Sequence, residues 1–366
     1  MAPAIARSTY REYASRAVIG RRLAAGPFSS LWLGFSRMML ARPGVARFVA
    51  RRLVQAVPTI LVIIVVSFLV LQLTPGDIVD VLAGEAGAAT PEYVAMLRQR
   101  FGLDRPLVTQ LASYVWGVVN LDLGFSFRHN TTVLKLMLDR LPATLILMGT
   151  SLSVAVALGV VFGVTAARHV NRPADGAIAV LVLLSYATPT FWIGLMLIVL
   201  FSVKLGWLPT GGMMTIGAGL SGFGRVLDVS HHLVLPAASL ALFYAAIYTR
   251  LMRASMLEVS GQDYVRTARA KGISEARVMY GHALRNALLP LLTMVGVQVG
   301  SLLGGSVLVE SVFGWPGLGR LAFEAVQQRD YNLLLGILLM SSLLVIVVNL
   351  VIDLLYAVLD PRIELR

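Results

Sequence analysis

Cysteine is absent from all 366 residues, which excludes disulfides, thiolate metal sites and a cysteine nucleophile. Lysine is nearly absent. Lys135, Lys204 and Lys271 are the only three, and none stands in G-x-x-x-x-G-K-[ST], so the chain has no phosphate-cradling P-loop. H-E-x-x-H and G-x-S-x-G do not occur, and the histidines are His129, His169, His231, His232 and His282. His231 and His232 are neighbours rather than partners four apart, which suits the mouth of a membrane span better than a metal site. Charge of either sign is scarce too, at 14% of residues. These gaps argue against an enzyme, and neither a cofactor nor a metal is expected.

What is abundant is apolar sequence. Mean hydropathy is +0.78, concentrated in blocks such as "TILVIIVVSFLVLQL" at Thr59–Leu73. About 20 apolar residues at 1.5 Å each match the roughly 30 Å hydrocarbon core of a bilayer. The pattern predicts an all-α integral membrane protein with six transmembrane helices. They cover Leu53–Leu73, Leu141–Ala167, Ala177–Val203, Leu233–Tyr248, Ala287–Val309 and Leu333–Leu355. "TPGD" (Thr74–Asp77) ends the first span, because Pro and Gly stop a helix and Asp77 belongs in water. Gly296, Gly300 and Gly304 recur every four residues of the fifth span and so share a face, suited to close helix packing or to a moving helix pair.

The net charge of +12 would suggest nucleic acid in a soluble protein. Here its distribution points elsewhere. Residues 1–52 hold ten arginines and one acid, Glu12. With six spans and both termini cytoplasmic, this basic segment, Arg168–Asp175 and Arg250–Arg285 fall on one side, as the positive-inside rule requires. Segment 78–140 falls outside the membrane on the other side. Residues 1–45 read as a basic cytoplasmic extension, with either an interfacial helix around Ser29–Leu40 or a poorly ordered tail. Glu310 and Asp353 are the acids near span ends, where water or headgroups would reach them. The spans show no internal proton relay of the kind that ion-driven carriers keep near the midplane.

The segment "DYVRTARAKG" (Asp263–Gly272) interrupts this pattern. Between Arg250 and Arg285 stand seven basic and three acidic residues. Topology explains the arginines but not the helix punctuation. Asp263 predicts an N-cap for a short helix through Lys271, Gly272 its stop, and Ser274 the cap of a second helix entering the fifth span. Ala268 and Ala270 allow close approach.

The segment resembles the EAA loop (E-A-A-x3-G-x9-I-x-L-P) of binding-protein-dependent ABC importer permeases. Arg266, Thr267 and Ala268 stand at the E-A-A positions, and His282, Leu284 and Arg285 at the last three; Ala268, Gly272 and Leu284 match. "RTARAKGISEARVMYGHALRNALLP" is similar to the dipeptide, oligopeptide and nickel branch, where this departure is usual. So are "LTPGD", "FGLDRPLVTQ" (Phe101–Gln110), "NLDLGFSF" (Asn120–Phe127), "ATPTFWIGLMLI" (Ala187–Ile198), "HHLVLPAASLAL" (His231–Leu242), "VLVESVFGWPGLGRL" (Val307–Leu321) and "VIDLLYAVLDPRI" (Val351–Ile363). The likeness runs from residue 46 to 366 and is nearest to the B-type permease subunit.

The resemblance implies the type I importer permease fold over residues 46–366, in the bacterial inner membrane. It implies a transport subunit forming half of a pathway for peptides or related small solutes, with nickel, glutathione or another solute as alternatives and a stand-alone secondary carrier as the rival class. The implied partners are a homologous second permease, two cytoplasmic ABC ATPases that hydrolyse the ATP, an extracytoplasmic substrate-binding protein and membrane lipid, with no nucleic acid. Within loop 250–286, Asp263, Tyr264, Arg266, Thr267, Ala268, Lys271, Gly272 and Ser274 would form the ATPase-coupling element. Glu310, Phe313, Trp315 and Pro316 would serve an external gate or docking surface, with Trp315 as an interfacial anchor the simpler alternative.

Overall fold

The computed structural model describes residues 43–73, 79, 90–126 and 128–359. The proposed interfacial helix at Ser29–Leu40, the helix stop at Thr74–Asp77 and the closing "DPRI" lie outside them. The chain divides into a unit of Met1–Pro58 with Tyr356–Arg366, and a larger unit, Thr59–Leu355. In the first, the described residues open helix α1 (Pro43–Leu73), where the Arg52 guanidinium sits 5.6 Å from the centre of the Phe48 ring. All that follows concerns the second.

Two short helices, α2 (Pro91–Phe101) and α3 (Leu107–Val119), come first. Thr90 caps α2 by accepting the Tyr93 N–H at 3.3 Å, and Gly102, at φ +68°, ends it. A small antiparallel hairpin follows, β1 (Phe125–Ser126) with β2 (Thr131–Thr132). It leads directly into α4 (Val133–Arg168). Then come α5 (Pro173–Ala187) and α6 (Thr190–Leu197), which continues as a π-helical segment Ile198–Lys204. The long α7 (Gly222–Ser260) precedes α8 (Asp263–Ala270). A single turn, Glu275–Arg277, and a π-helical segment, Val278–Ala283, lead into α9 (Leu284–Val312). The last helices are α10 (Leu318–Gln327) and α11 (Tyr331–Leu359).

Among the described residues, five helices are long and apolar enough to cross a membrane, and the pair α5–α6 makes a sixth span if its halves count as one. The expected straight span over Ala177–Val203 is thereby corrected, because α5 and α6 meet at 105°. Pro189 causes the break. It keeps Thr188 out of the helical region (φ −91°, ψ 129°) and itself stands extended (φ −57°, ψ 136°). The Thr188 N–H still donates to the Leu184 carbonyl at 3.2 Å, and its hydroxyl donates to the same oxygen at 2.7 Å, closing the last turn of α5.

The centre of the unit is α7 against α4. A Cβ on Gly159 would lie 2.5 Å from the Tyr248 Cβ, and one on Gly163 2.5 Å from the Met252 Cβ. Both helices advance four residues between these contacts, so they run parallel at close approach, as small residues allow inside a membrane. The ends of the unit follow from this register. Arg168, α5's first turn, Arg250, Arg253 and α8 lie at one end, called here the basic end. The start of α4, the end of α9 and all of α10 lie at the other. The glycine face predicted on the fifth span is only partly in contact. A Gly296 Cβ would lie 3.2 Å from Ile352, whereas Gly300 and Gly304 face open space.

Candidate functional site

At the basic end α8 projects from the bundle. Gln262 takes the N-cap backbone conformation and Asp263 is the first helical residue, so the helix starts one position earlier than the sequence suggested. The Asp263 carboxylate lies 3.8 Å from Arg266, both exposed, and its carbonyl accepts the Thr267 hydroxyl at 2.9 Å. Lys271 is the C-cap. Gly272 follows at φ +74° with nothing within 4 Å of where a Cβ would be, so conformation rather than space requires a glycine there. The Gly272 N–H donates to Arg269 O at 2.9 Å and the Ile273 N–H to Ala268 O at 3.4 Å. This is the two-bond helix ending that a left-handed residue permits.

Behind the turn, Val265, Ala268 and Val278 are buried together, with Val259 and Ile273 packed on them. Ala268 therefore faces its own chain, and the close approach it allows is to Val278. Ser274 stands at the N-cap of the second helix through its backbone, with Val278 N–H donating to its carbonyl at 3.0 Å; its side chain makes no capping bond. Asp263, Tyr264, Arg266, Thr267, Lys271, Gly272 and Ser274 are exposed.

Polar ties fasten this projection to two long helices. The Arg269 guanidinium grips the Glu275 carboxylate with bonds of 2.8 and 3.2 Å and donates to the Ser260 carbonyl, at the end of α7, at 3.3 Å. At the start of α9, Asn286 donates to the Tyr264 hydroxyl at 2.6 Å. Glu275 holds the guanidinium firmly protonated.

At the opposite end, Glu310, Phe313 and Trp315 are buried and Pro316 is half-buried. Glu310 is thus not at a wetted span end, as its position in sequence suggested; 0% of it is exposed. Its carboxylate accepts the Thr144 hydroxyl at 2.9 Å and the Arg320 N–H at 2.9 Å, while the Thr144 oxygen accepts the Leu318 N–H at 2.7 Å. Leu318 and Arg320 belong to the first turn of α10, whose N–H groups have no partner within the helix. A buried carboxylate and a hydroxyl from other helices supply them. A side chain on Gly317 would strike the Glu310 carboxylate, and one on Gly319 would lie 2.9 Å from it. That accounts for glycine at both positions.

Trp315 donates its indole N–H to the Ala143 carbonyl at 2.8 Å and is fully buried within the chain, so it is not an interfacial anchor. Phe313 packs against Gly194 of α6, and its carbonyl accepts the Gly212 N–H at 2.7 Å. The four residues singled out here form one knot joining α4, α6, α9 and α10. Their burial leaves a docking partner little of them to touch.

The chain that holds these two clusters has known relatives. Residues 159–365 match the binding-protein-dependent transport system inner membrane component family, and residues 45–148 match its N-terminal family. The chain belongs to this family. It is a multi-pass inner-membrane permease subunit of an ABC transporter. The permease is 41% identical over 335 residues to the dipeptide transport system permease protein of Escherichia coli K12, covering 87% of this chain and 98% of that one. It is 40% identical over 322 residues to an oligopeptide transport system permease protein of Bacillus subtilis 168, covering 87% and 99%. Its fold matches a chain of an inward-facing methionine ABC transporter with a TM-score of 0.50 at 16% identity, over 62% of this chain and 96% of that one.

Sequence reasoning missed several residues of the permease's two sites. Thr144 carried no signal, being one hydroxyl in an apolar helix. Arg269 and Glu275 carried a weak one, as opposite charges three residues either side of a helix-stopping glycine. Asp175 and Arg253 were read as loop charges. They form a bidentate pair instead, with bonds of 2.7 and 2.8 Å between α5 and α7.

Proposed function

We propose that this chain is one of two homologous permease subunits in an ATP-driven importer of peptides. The basic end and both termini face the cytoplasm, two ABC ATPases dock there, and a binding protein delivers solute on the other side. Peptides are favoured over nickel chelates, glutathione or other solutes because the curated relatives at 40% and 41% identity are an oligopeptide and a dipeptide permease. The family matches begin at residue 45, which supports reading 1–45 as an extension of a permease domain over 46–366.

The observation that carries the coupling role is the projection of α8, exposed on one face and tied through Arg269 to α7 and through Tyr264 to α9. A stiff element continuous with two spans converts closure of an ATPase dimer into helix displacement, because nucleotide binding then favours one of two packings. Asp263, Tyr264, Arg266, Thr267 and Lys271 are the surface offered to the ATPase. Gly272, Ala268 and Ser274 hold that surface in shape. The knot of Glu310, Phe313, Trp315 and Pro316 would act as the rigid hinge of an external gate.

The test is co-purification followed by reconstitution. A second permease and two ATPases should come down with this chain, and vesicles holding the complex and the binding protein should take up peptide only with ATP. Gly272→Val, or Ala268→Trp, should reduce ATP-driven uptake at least about tenfold, a loss of roughly 1.4 kcal/mol in coupling, while membrane levels hold. Transport by the chain alone without ATP would establish a secondary carrier instead. Normal uptake by both variants would remove the coupling assignment.

A further inference from the structure

A groove of about 570 Å³ opens at the basic end between α4, α5 and α7. One wall is an apolar strip of α5 from Ile178 to Tyr186 that includes Ala179 and Val182. Nine residues of helix, separated by eight steps of about 1.5 Å, make this strip about 12 Å long, most of one leaflet's share of a roughly 30 Å hydrocarbon core. Beyond it α5 ends and the chain turns through 105°, so the strip stops short of the opposite leaflet. The lip is cationic. Arg253 is neutralised by Asp175, which also accepts the Asn171 N–H at 3.1 Å. Arg250 lines the same lip, is exposed, and has no carboxylate within ion-pair distance among the described residues. Just inside, the Thr249 hydroxyl is buried with no hydrogen-bond partner, in a residue 2% exposed that lines the groove.

An apolar trough one leaflet deep, a free guanidinium at its mouth and an unpartnered hydroxyl behind it complement an amphiphile with one or more acyl chains and a negative head. We infer that this groove binds an anionic phospholipid from the leaflet at the basic end. The phosphate sits on Arg250, the acyl chain lies along Ile178–Tyr186, and the Asp175–Arg253 pair fixes the wall from which α5 departs. Arg250 discriminates by charge, because Asp175 already satisfies Arg253. A zwitterionic headgroup brings its own cation to the guanidinium and gains less. The site does not depend on the coupling role of α8.

The cysteine-free chain makes the test direct. The intact transporter complex carrying Ala179→Cys with a fluorescent label is placed in nanodiscs containing either brominated phosphatidylglycerol or brominated phosphatidylcholine, diluted in unbrominated phosphatidylcholine. Quenching of the label should reach half-maximum at about a fivefold lower fraction of the anionic lipid, the discrimination expected of one near-surface arginine. Arg250→Gln in the same background should bring the two curves together. Arg285→Gln, at a position that does not line the groove, should leave them apart. In the unlabelled complex, Ala179→Trp should fill the trough and reduce phosphatidylglycerol retained in native mass spectra, without loss of assembly. Equal quenching by the two lipids in the labelled parent would overturn the proposal. So would an equal effect of Arg285→Gln, which would mean diffuse surface attraction. Absence of quenching by either lipid would mean that a protein neighbour occupies the groove, and would overturn it as well.

Discussion

Replacing Thr144 by valine tests the knot at its least conspicuous member. The substitution keeps shape and removes one hydroxyl. That hydroxyl donates to the Glu310 carboxylate at 2.9 Å and accepts the Leu318 N–H at 2.7 Å, and all three residues are buried. A bond to a charged group contributes about 1.5–3 kcal/mol and a neutral one about 0.5–1.5. Both are lost, and the Leu318 N–H is left buried without an acceptor. The expected destabilisation is therefore about 2–4 kcal/mol. Thr144→Ser keeps the hydroxyl and removes a methyl, which costs about 1 kcal/mol. Reversible unfolding of the purified chain in mixed micelles would measure both, with the double mutant Thr144→Val/Glu310→Gln closing a cycle. The coupling between the two positions should be about 1–3 kcal/mol. Were valine to match serine within about 0.5 kcal/mol, the hydroxyl would not be holding the start of α10 and the reasoning would fail.

Three further outcomes follow from the geometry. Gly163→Leu should cost about 1–3 kcal/mol or more in the same assay, because its Cβ would lie 2.5 Å from that of Met252 and 2.9 Å from the Thr249 carbonyl, whereas Gly149→Leu, with nothing within 4 Å, should be near neutral. At Gly272 the left-handed backbone should cost valine about 1–2 kcal/mol, while asparagine, which tolerates that conformation, should leave ATP-driven uptake close to wild type. Equal loss in both would point to a steric contact with a partner instead. Arg269→Gln and Glu275→Gln should show a coupling under about 1 kcal/mol in a double-mutant cycle on stability, and one that weakens with salt, since the pair is largely exposed.

The spans were legible because hydropathy at bilayer length is a strong signal, and the bundle register at Gly159 and Gly163 fits the small residues that such packing needs. The helix stop at Gly272 was legible for a similar reason, since one residue type serves that backbone conformation best. Pro189 stands in plain view inside the expected third span, but its consequence was not legible. Proline inside a span can kink a helix or end it, and only the surrounding packing decides which. Glu310 failed for a related reason. Its place at the end of a span implied water, yet α10 folds back over it and turns a span end into an interior. Asp175 and Arg253 stand 78 positions apart, and nothing local to either announces the other. Burial and pairing between distant segments are the properties that periodicity does not carry.

The two sites lie at opposite ends of the bundle, and the connection between them is short in covalent terms. On the coupling reading, force enters at α8, whose Arg269 holds the carbonyl of Ser260 at the end of α7. α7 is sewn to α4 at Gly159 and Gly163, where side-chain and backbone atoms of α7 stand where no Cβ would fit. Interfaces packed that closely shift as units rather than deform gradually. A displacement of α7 is then a displacement of α4, and α4 carries Thr144 and the Ala143 carbonyl that hold Glu310, Leu318 and Trp315 at the far end. α5 is the exception. It joins α7 through the Asp175–Arg253 pair and is cut from α6 at Pro189, so a displacement of α7 reaches α5 but is not passed on to α6 along one straight rod. The break in the third span is thus where straight transmission along the chain stops, and the groove lies along the half before it.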